Sequence, residues 1–234
     1  MNSIELEKKN KTAILIPARY GSKRLPGKPL IELNGKKLIK HVFDICKGTG
    51  LDTFVLTDDE RILREFESNC LIDYQEYDNG TERCAGAINN FFQHTHYDRF
   101  INVQGDMIDV TKECIERCAL GLEAANVTTV YTDMPKDKQN DPNTVKMIRA
   151  GMEALWFCRG VKGYGEWHLG VYGYRKRALE AYCSWERAEE EKIEKLEQLR
   201  WLKYNFKINC FKVEYSGTEI NTPEDVKEWN LKNA

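Results

Sequence analysis

Four short apolar runs, at residues 13–16, 54–57, 100–103 and 127–131, alternate with helix-period segments at 38–47, 60–68, 81–93 and 111–124. The runs are rich in β-branched and aromatic residues and have almost no polar interruptions, as expected of strands buried on both faces. Strand and helix in alternation predict an α/β chain: a Rossmann-like, mostly parallel sheet sandwiched by helices. Ligands of such sheets sit beyond the carboxyl ends of the strands. Three of the runs lead into polar residues there, Pro17-Ala18-Arg19, Thr57-Asp58-Asp59 and Gln104-Gly105-Asp106, which marks one rim as the place for chemistry.

After Asp141-Pro142-Asn143 the pattern changes to extended segments at 144–149, 154–158 and 168–174. They predict a small antiparallel addition, a lobe over roughly 144–186 that covers the mouth of the site or makes a subunit contact. It lies within a single domain of residues 1–234, a length that one sizeable core accommodates. Residues 187–204 have the spacing of one highly charged helix with Ile193, Leu196, Leu199 and Leu202 as its buried stripe. A last strand is predicted at 207–213, before a helix capped by Thr222 with Pro223 in its first turn.

The formal net charge of −2 gives no general attraction to nucleic acid or to a membrane surface, so neither is expected as a partner. No apolar run is long enough to span a bilayer, and residues 1–11 are polar and charged, without a signal-peptide pattern. A cytoplasmic location is the expectation. The eight cysteines include no Cys-x-x-Cys, so buried, reduced thiols are expected rather than a disulfide framework or a zinc site. His94 and His96 are expected to be exposed.

Basic character is local. The stretch Pro17 to Lys28 holds Arg19, Lys23, Arg24 and Lys28 together with Gly21, Ser22 and Gly27. Cations with glycine-freed amides at the end of a strand suit a polyphosphate. It is not a P-loop, because five residues separate the glycines and Pro29 follows Lys28 where a hydroxyl residue is needed. Asp106, on the same rim, is a natural ligand for a magnesium ion that also meets phosphate oxygens. Asn79-Gly80-Thr81-Glu82-Arg83 opens a helix, where free amides can meet an anion or a base edge. Strand alternation puts His168, Gly170, Tyr172 and Tyr174 on one face. Glu197 and Arg200 are spaced for an ion pair within a helix.

These motifs, in this order, resemble the 3-deoxy-manno-octulosonate cytidylyltransferase family, also called CMP-Kdo synthetases. The resemblance rests on Pro17-Ala18-Arg19, Ser22, Arg24-Leu25-Pro26-x-Lys28, Gly80-Thr81-Glu82-Arg83, Val103-Gln104-Gly105-Asp106, Asp141-Pro142-Asn143-x-Val145-Lys146, Arg159, His168-x-Gly170-x-Tyr172-Gly173-Tyr174, Leu196-Glu197-Gln198-Leu199-Arg200 and Thr222-Pro223-Glu224-Asp225. It implies transfer of a cytidylyl group from CTP to an acidic eight-carbon sugar. The nucleotide would meet Pro17, Ala18, Arg19, Ser22, Lys23, Arg24, Lys28, Asn79, Gly80, Arg83 and Gln104. Arg19, Lys28 and Asp106 would carry catalysis, with Mg2+ on Asp106 and Asn221. Arg159, His168, Tyr172, Glu197 and Gln198 would take the sugar, and a homodimer is the implied assembly.

The chain departs from the family pattern in four places. Asn221 replaces a metal-binding aspartate, and Met107-Ile108 replace Glu-Pro after the Gln-Gly-Asp turn. Only eight residues separate Arg159 from His168, a shorter excursion than the family has, and Asn79 stands in place of a serine. Two readings follow: an active cytidylyltransferase for this or a related acidic sugar, or a nucleotide-binding remnant of the fold with little turnover.

Overall fold

The computed structural model describes residues 11–21, 25–215, 217, 220 and 222–233. Ser22, Lys23, Arg24 and Asn221 lie outside the described residues. Strand β1 (Thr12–Pro17) leads through a 3-10 turn at Lys28–Leu30 to the small hairpin β2 (Glu32–Leu33) and β3 (Lys36–Lys37) and to helix α1 (Leu38–Lys47). Then come β4 (Asp52–Thr57), α2 (Glu60–Phe66), β5 (Cys70–Ile72), α3 (Gly80–Phe91), β6 (Arg99–Val103), α4 (Lys112–Gly121) and β7 (Val127–Thr132). The second half holds β8 (Lys146–Ala150), β9 (Glu153–Cys158), β10 (Glu166–Arg175), α5 (Lys176–Cys183), α6 (Glu189–Glu194), α7 (Leu199–Lys203), β11 (Ile208–Lys212) and α8 (Pro223–Lys232).

One nine-stranded sheet runs in the order β5-β4-β1-β6-β10-β7-β11-β9-β8. The strands β5, β4, β1 and β6 are parallel neighbours, as are β7 and β11. The reason is legible in β1. Ala13 and Leu15 enter one apolar layer with Cys84, Ala85 and Ile88 of α3 and Leu179 of α5, while Ile14 and Ile16 enter the other with Val42 of α1, Ile62 of α2 and Ile115 of α4. A strand covered by helices on both faces has no polar side to present.

Two expectations are corrected. Residues 168–174 do not belong to a separate antiparallel addition, because β10 is inserted between β6 and β7 in the middle of the main sheet, antiparallel to both. Its apolar positions 167, 169 and 171 fill one layer while Tyr172 and Tyr174 fill the other, which only a central strand requires. The antiparallel addition is the β8–β9 pair at the edge, joined to the first residues of β10. A register shift of β10 against β7 between Leu169 and Tyr172 adds two residues, so the face parity predicted for His168, Gly170, Tyr172 and Tyr174 survives.

Nor is 187–204 one helix. Helix α6 stops at Lys195, which takes the left-handed conformation at φ 56°, and α7 starts afresh at Leu199. In a continuous helix Glu191 and Arg200 would lie about 13.5 Å apart along the axis and on opposite faces. The break lets Arg200 fold back: its Nε donates to Glu191 Oε2 at 2.8 Å and its Nη2 to Glu191 Oε1 at 2.6 Å. Leu196 and Leu199 are buried, as the stripe required, but Ile193 is 76% exposed.

Seven of the eight cysteines are buried and Cys183 is exposed. Burial pushes the Cys70 thiol up to about 12 and the Cys210 thiol to about 11. His94 and His96 are exposed. Among the described residues no helix is long and apolar enough to cross a membrane.

Candidate active site

The carboxyl ends of β1 and β6 and the start of α3 border a cleft of about 250 Å³. Of the residues predicted for nucleotide, Pro17, Ala18, Arg19, Lys28, Asn79, Gly80, Arg83 and Gln104 all line it, and so does Asp106. Pro29, Tyr77, Asp78 and Gly105 complete the wall, and of these sequence reasoning did not single out Tyr77 and Asp78. Gly105 is what lets β6 end so close to β1. A β-carbon there would lie 2.9 Å from the Pro17 carbonyl oxygen and 3.0 Å from Ile39 Cδ1.

Helix α3 begins with Asn79, whose side chain accepts from Glu82 N at 2.8 Å, so it is an N-cap as well as a cleft residue. Its Nδ2 and the Nη1 of Arg83 are both buried, and neither has a partner among the described residues. A buried donor without an acceptor is costly, so two of them on one cleft wall favour a ligand rich in acceptors. Gln104 lies between two glycines. A β-carbon on Gly80 would sit 3.1 Å from its Nε2, and one on Gly170 would sit 3.3 Å from its Cγ.

On the rim, Lys28 Nζ donates to Asp106 Oδ2 at 2.5 Å. Asp106 keeps about a third of its side chain exposed and faces the same cleft as Arg19. One accessible carboxylate beside cations fits a magnesium ion that takes most of its ligands from phosphate and water. Asn221 lies outside the described residues. Ile220, next to it, shares a small apolar cluster with Ile108, two residues beyond Asp106. Met107 and Ile108 are both buried, so the residues in place of Glu-Pro pack the rim rather than face the cleft.

The residues expected to take the sugar are not among those that line this cleft. His168 and Tyr172 pack ring to ring at 5.3 Å, and Phe157 closes the other side of His168 at 4.9 Å. The imidazole Nε2 is paired with Thr129 Oγ1 at 3.0 Å. Burial, aided by the nearby Arg159 guanidinium, lowers the His168 pKa to about 3, so the ring packs against Tyr172 as a neutral group. Burial likewise holds the Tyr172 phenol well above its ordinary value, with Glu197 adding to the effect and Arg159 opposing it.

Glu197 links the two regions. Its Oε2 accepts from Thr81 N at 3.1 Å, one residue after Gly80. Desolvation raises its carboxyl to about 7 against the lowering effect of the Thr81 bonds. The pair expected between Glu197 and Arg200 is not formed. Arg200 instead binds Glu191 and, at 2.6 Å, Glu82 of α3, because a buried guanidinium needs more than one carboxylate oxygen to satisfy its donors. Gln198 is buried with Nε2 unpartnered among the described residues.

Arg159 is held by a device that the sequence carried without revealing its purpose. Asp141 accepts from Asn143 N at 2.8 Å and Thr144 Oγ1 at 3.0 Å, shaping a turn whose Asn143 carbonyl accepts from Arg159 Nη1. The buried Lys146 ammonium donates to the carbonyls of Asp141 and Arg159 at 2.5 and 3.1 Å. Glu194 Oε2 accepts from Arg159 N at 3.0 Å. The short connection to β10 thus leaves Arg159 fixed from three sides.

The family model described as cytidylyltransferase matches residues 13–208. A curated relative from Hydrogenovibrio crunogenus, 3-deoxy-manno-octulosonate cytidylyltransferase 2, is 37% identical over 238 residues, covering 93% of this chain and 96% of the relative. The 8-amino-3,8-dideoxy-manno-octulosonate cytidylyltransferase of Shewanella halifaxensis is 35% identical over 234 residues, covering 92% and 95%. A solved structure of CMP:2-keto-3-deoxy-manno-octonic acid synthetase complexed with CTP superposes with a TM-score of 0.87 at 29% identity, over 95% of this chain and 98% of that one. Matches of this extent run through every element that builds the cleft, and the chain belongs to the cytidylyltransferase family.

Proposed function

We propose that this enzyme transfers a cytidylyl group from CTP to an acidic 3-deoxy-2-keto sugar of the octulosonate class, releasing pyrophosphate. The observation that carries the reading is the cleft itself. Arg19, Lys28, Asp106 and Gln104 line one space with Asn79 and Arg83, each of which keeps a buried donor unpartnered among the described residues. Cations at one end suit the triphosphate, and donors at the start of α3 suit acceptor atoms of the nucleoside.

The anomeric hydroxyl of the sugar attacks the α-phosphorus in line as the pyrophosphate oxygen leaves, so one P–O bond forms while another breaks and the hydroxyl proton is released to solvent. Arg19 and Lys28 offset charge on the departing pyrophosphate. Asp106 and Asn221 are the residues that would hold magnesium, which when bound neutralises phosphate oxygens and polarises the α-phosphate. Arg159 meets the sugar carboxylate, Tyr172 and Glu197 bind hydroxyl groups, and His168 keeps Tyr172 in place. No side chain serves as a nucleophile.

The test is pyrophosphate release from each nucleoside triphosphate, with magnesium, across 2-keto-3-deoxy sugars that include the 8-hydroxy and 8-amino octulosonates. Turnover with CTP and one of these sugars is expected. CTP binding without turnover on any sugar would favour the remnant instead.

A further inference from the structure

Asp58 follows β4 on the same rim as the cleft, yet it is not among the residues that line it. Its Oδ2 accepts from Arg83 Nη2 at 2.8 Å, and its Oδ1 accepts from Tyr20 N at 3.4 Å. The guanidinium of Arg83 is almost wholly buried, lies 5.3 Å from the Tyr77 ring, and has its second terminal nitrogen unpartnered among the described residues at the cleft wall. Tyr77 is in turn fixed by donating to Asp73 Oδ2 at 2.7 Å. Tyr20 is held a second time, since the Arg61 guanidinium covers its ring at 3.4 Å and is itself bonded to Asp59.

One carboxylate therefore joins three elements: the cationic loop after β1, the end of β4 and the first turn of α3. We propose that Asp58 is a positioning residue for nucleotide binding. It fixes the rotation of Arg83, whose side chain lines the cleft, and it ties the loop bearing Arg19 to the same point. A buried guanidinium bound on one edge has its other edge aimed, and that aim is lost when the carboxylate is removed. Asp58 touches neither the nucleotide nor the reacting atoms and acts through Arg83. The role rests on the reading of the cleft as a CTP site.

The experiment is calorimetric CTP binding to the full chain and to Asp58→Ala, Asp58→Asn, Arg83→Met and Asp58→Ala/Arg83→Met, with steady-state kinetics on each. Asp58→Ala is expected to weaken CTP about tenfold, through a higher KM, with kcat at saturating CTP kept within about threefold. Asp58→Asn, which retains an acceptor, should fall between, and it replaces the alanine variant if that one does not fold. In the Arg83→Met background the loss of Asp58 should cost less than about twofold. Unchanged CTP affinity in Asp58→Ala, an equal loss in both backgrounds, or a fall in thermal stability and kcat without a KM effect would each overturn the proposal. Absence of CTP binding by the unaltered protein would bring down the cytidylyl reading and this role with it.

Discussion

His168 and Glu197 sit on one site with pKa values displaced in opposite senses, which predicts a pH dependence of stability that neither residue shows alone in the intact protein. His168 is moved from 6.5 to about 3 by burial and Arg159, and Glu197 from 4.5 to about 7 by desolvation. Below pH ~6.5 the unfolded histidine takes up a proton that the folded one refuses, so its share of stability falls as pH drops toward ~3. Between pH ~4.5 and ~7 the folded carboxyl holds a proton that the unfolded one has shed, so its share falls as pH rises. Each slope is about 1.4 kcal/mol per pH unit at most. Across the shared window they oppose, with Glu197 the weaker because its side chain is only partly buried. Urea unfolding followed by tryptophan fluorescence at pH ~5 and ~6.5 reads the difference. His168→Gln should gain up to about 2 kcal/mol relative to wild type on going from the higher to the lower pH, and Glu197→Gln should lose a smaller amount, about 1 kcal/mol. A His168→Gln curve parallel to wild type would refute the buried neutral imidazole.

Other perturbations follow from packing and charge. Gly105→Ala should cost about 1–3 kcal/mol in unfolding free energy and lower activity, since its methyl group meets the Pro17 carbonyl oxygen at 2.9 Å. Arg200→Met leaves buried Glu191 with only the Arg187 pair at 3.3 Å and removes the ion-pair partner of Glu82, and denaturant unfolding should show a loss of up to about 3–5 kcal/mol. Asp106→Asn should abolish turnover with thermal unfolding little changed. Asn221→Asp should lower the magnesium concentration needed for half-maximal rate, measured by metal titration of pyrophosphate release.

Much of this was legible in the sequence because the informative signals are local. Runs apolar throughout mark strands covered on both faces, and β1, β4, β6 and β7 contain the segments they predicted. Polar residues at the ends of β1 and β6 gave the cleft, since chain direction alone carries them to one rim. What escaped depends on partners distant in sequence. Nothing in residues 166–175 says that β10 will enter between β6 and β7, because an alternating strand looks the same at an edge or a centre. The break at Lys195 is invisible to periodicity, being imposed by a buried pairing of Arg200 with Glu191 and Glu82. The same holds for Lys146, which reads as a surface lysine and is buried between two carbonyl groups. Asp58 was visible as a polar strand end, but its hold on Arg83 spans elements that only the fold brings together.

Direct attack by the sugar hydroxyl on the α-phosphorus, with no nucleotide ever covalently attached to the protein, is the centre of this account. The stereochemical course at that phosphorus tests it most directly, using CTP made chiral by sulfur at the α-position and the configuration of the sugar product read by phosphorus NMR. A single in-line displacement predicts inversion. Retention would mean two displacements through a nucleotidylated side chain and would contradict the account.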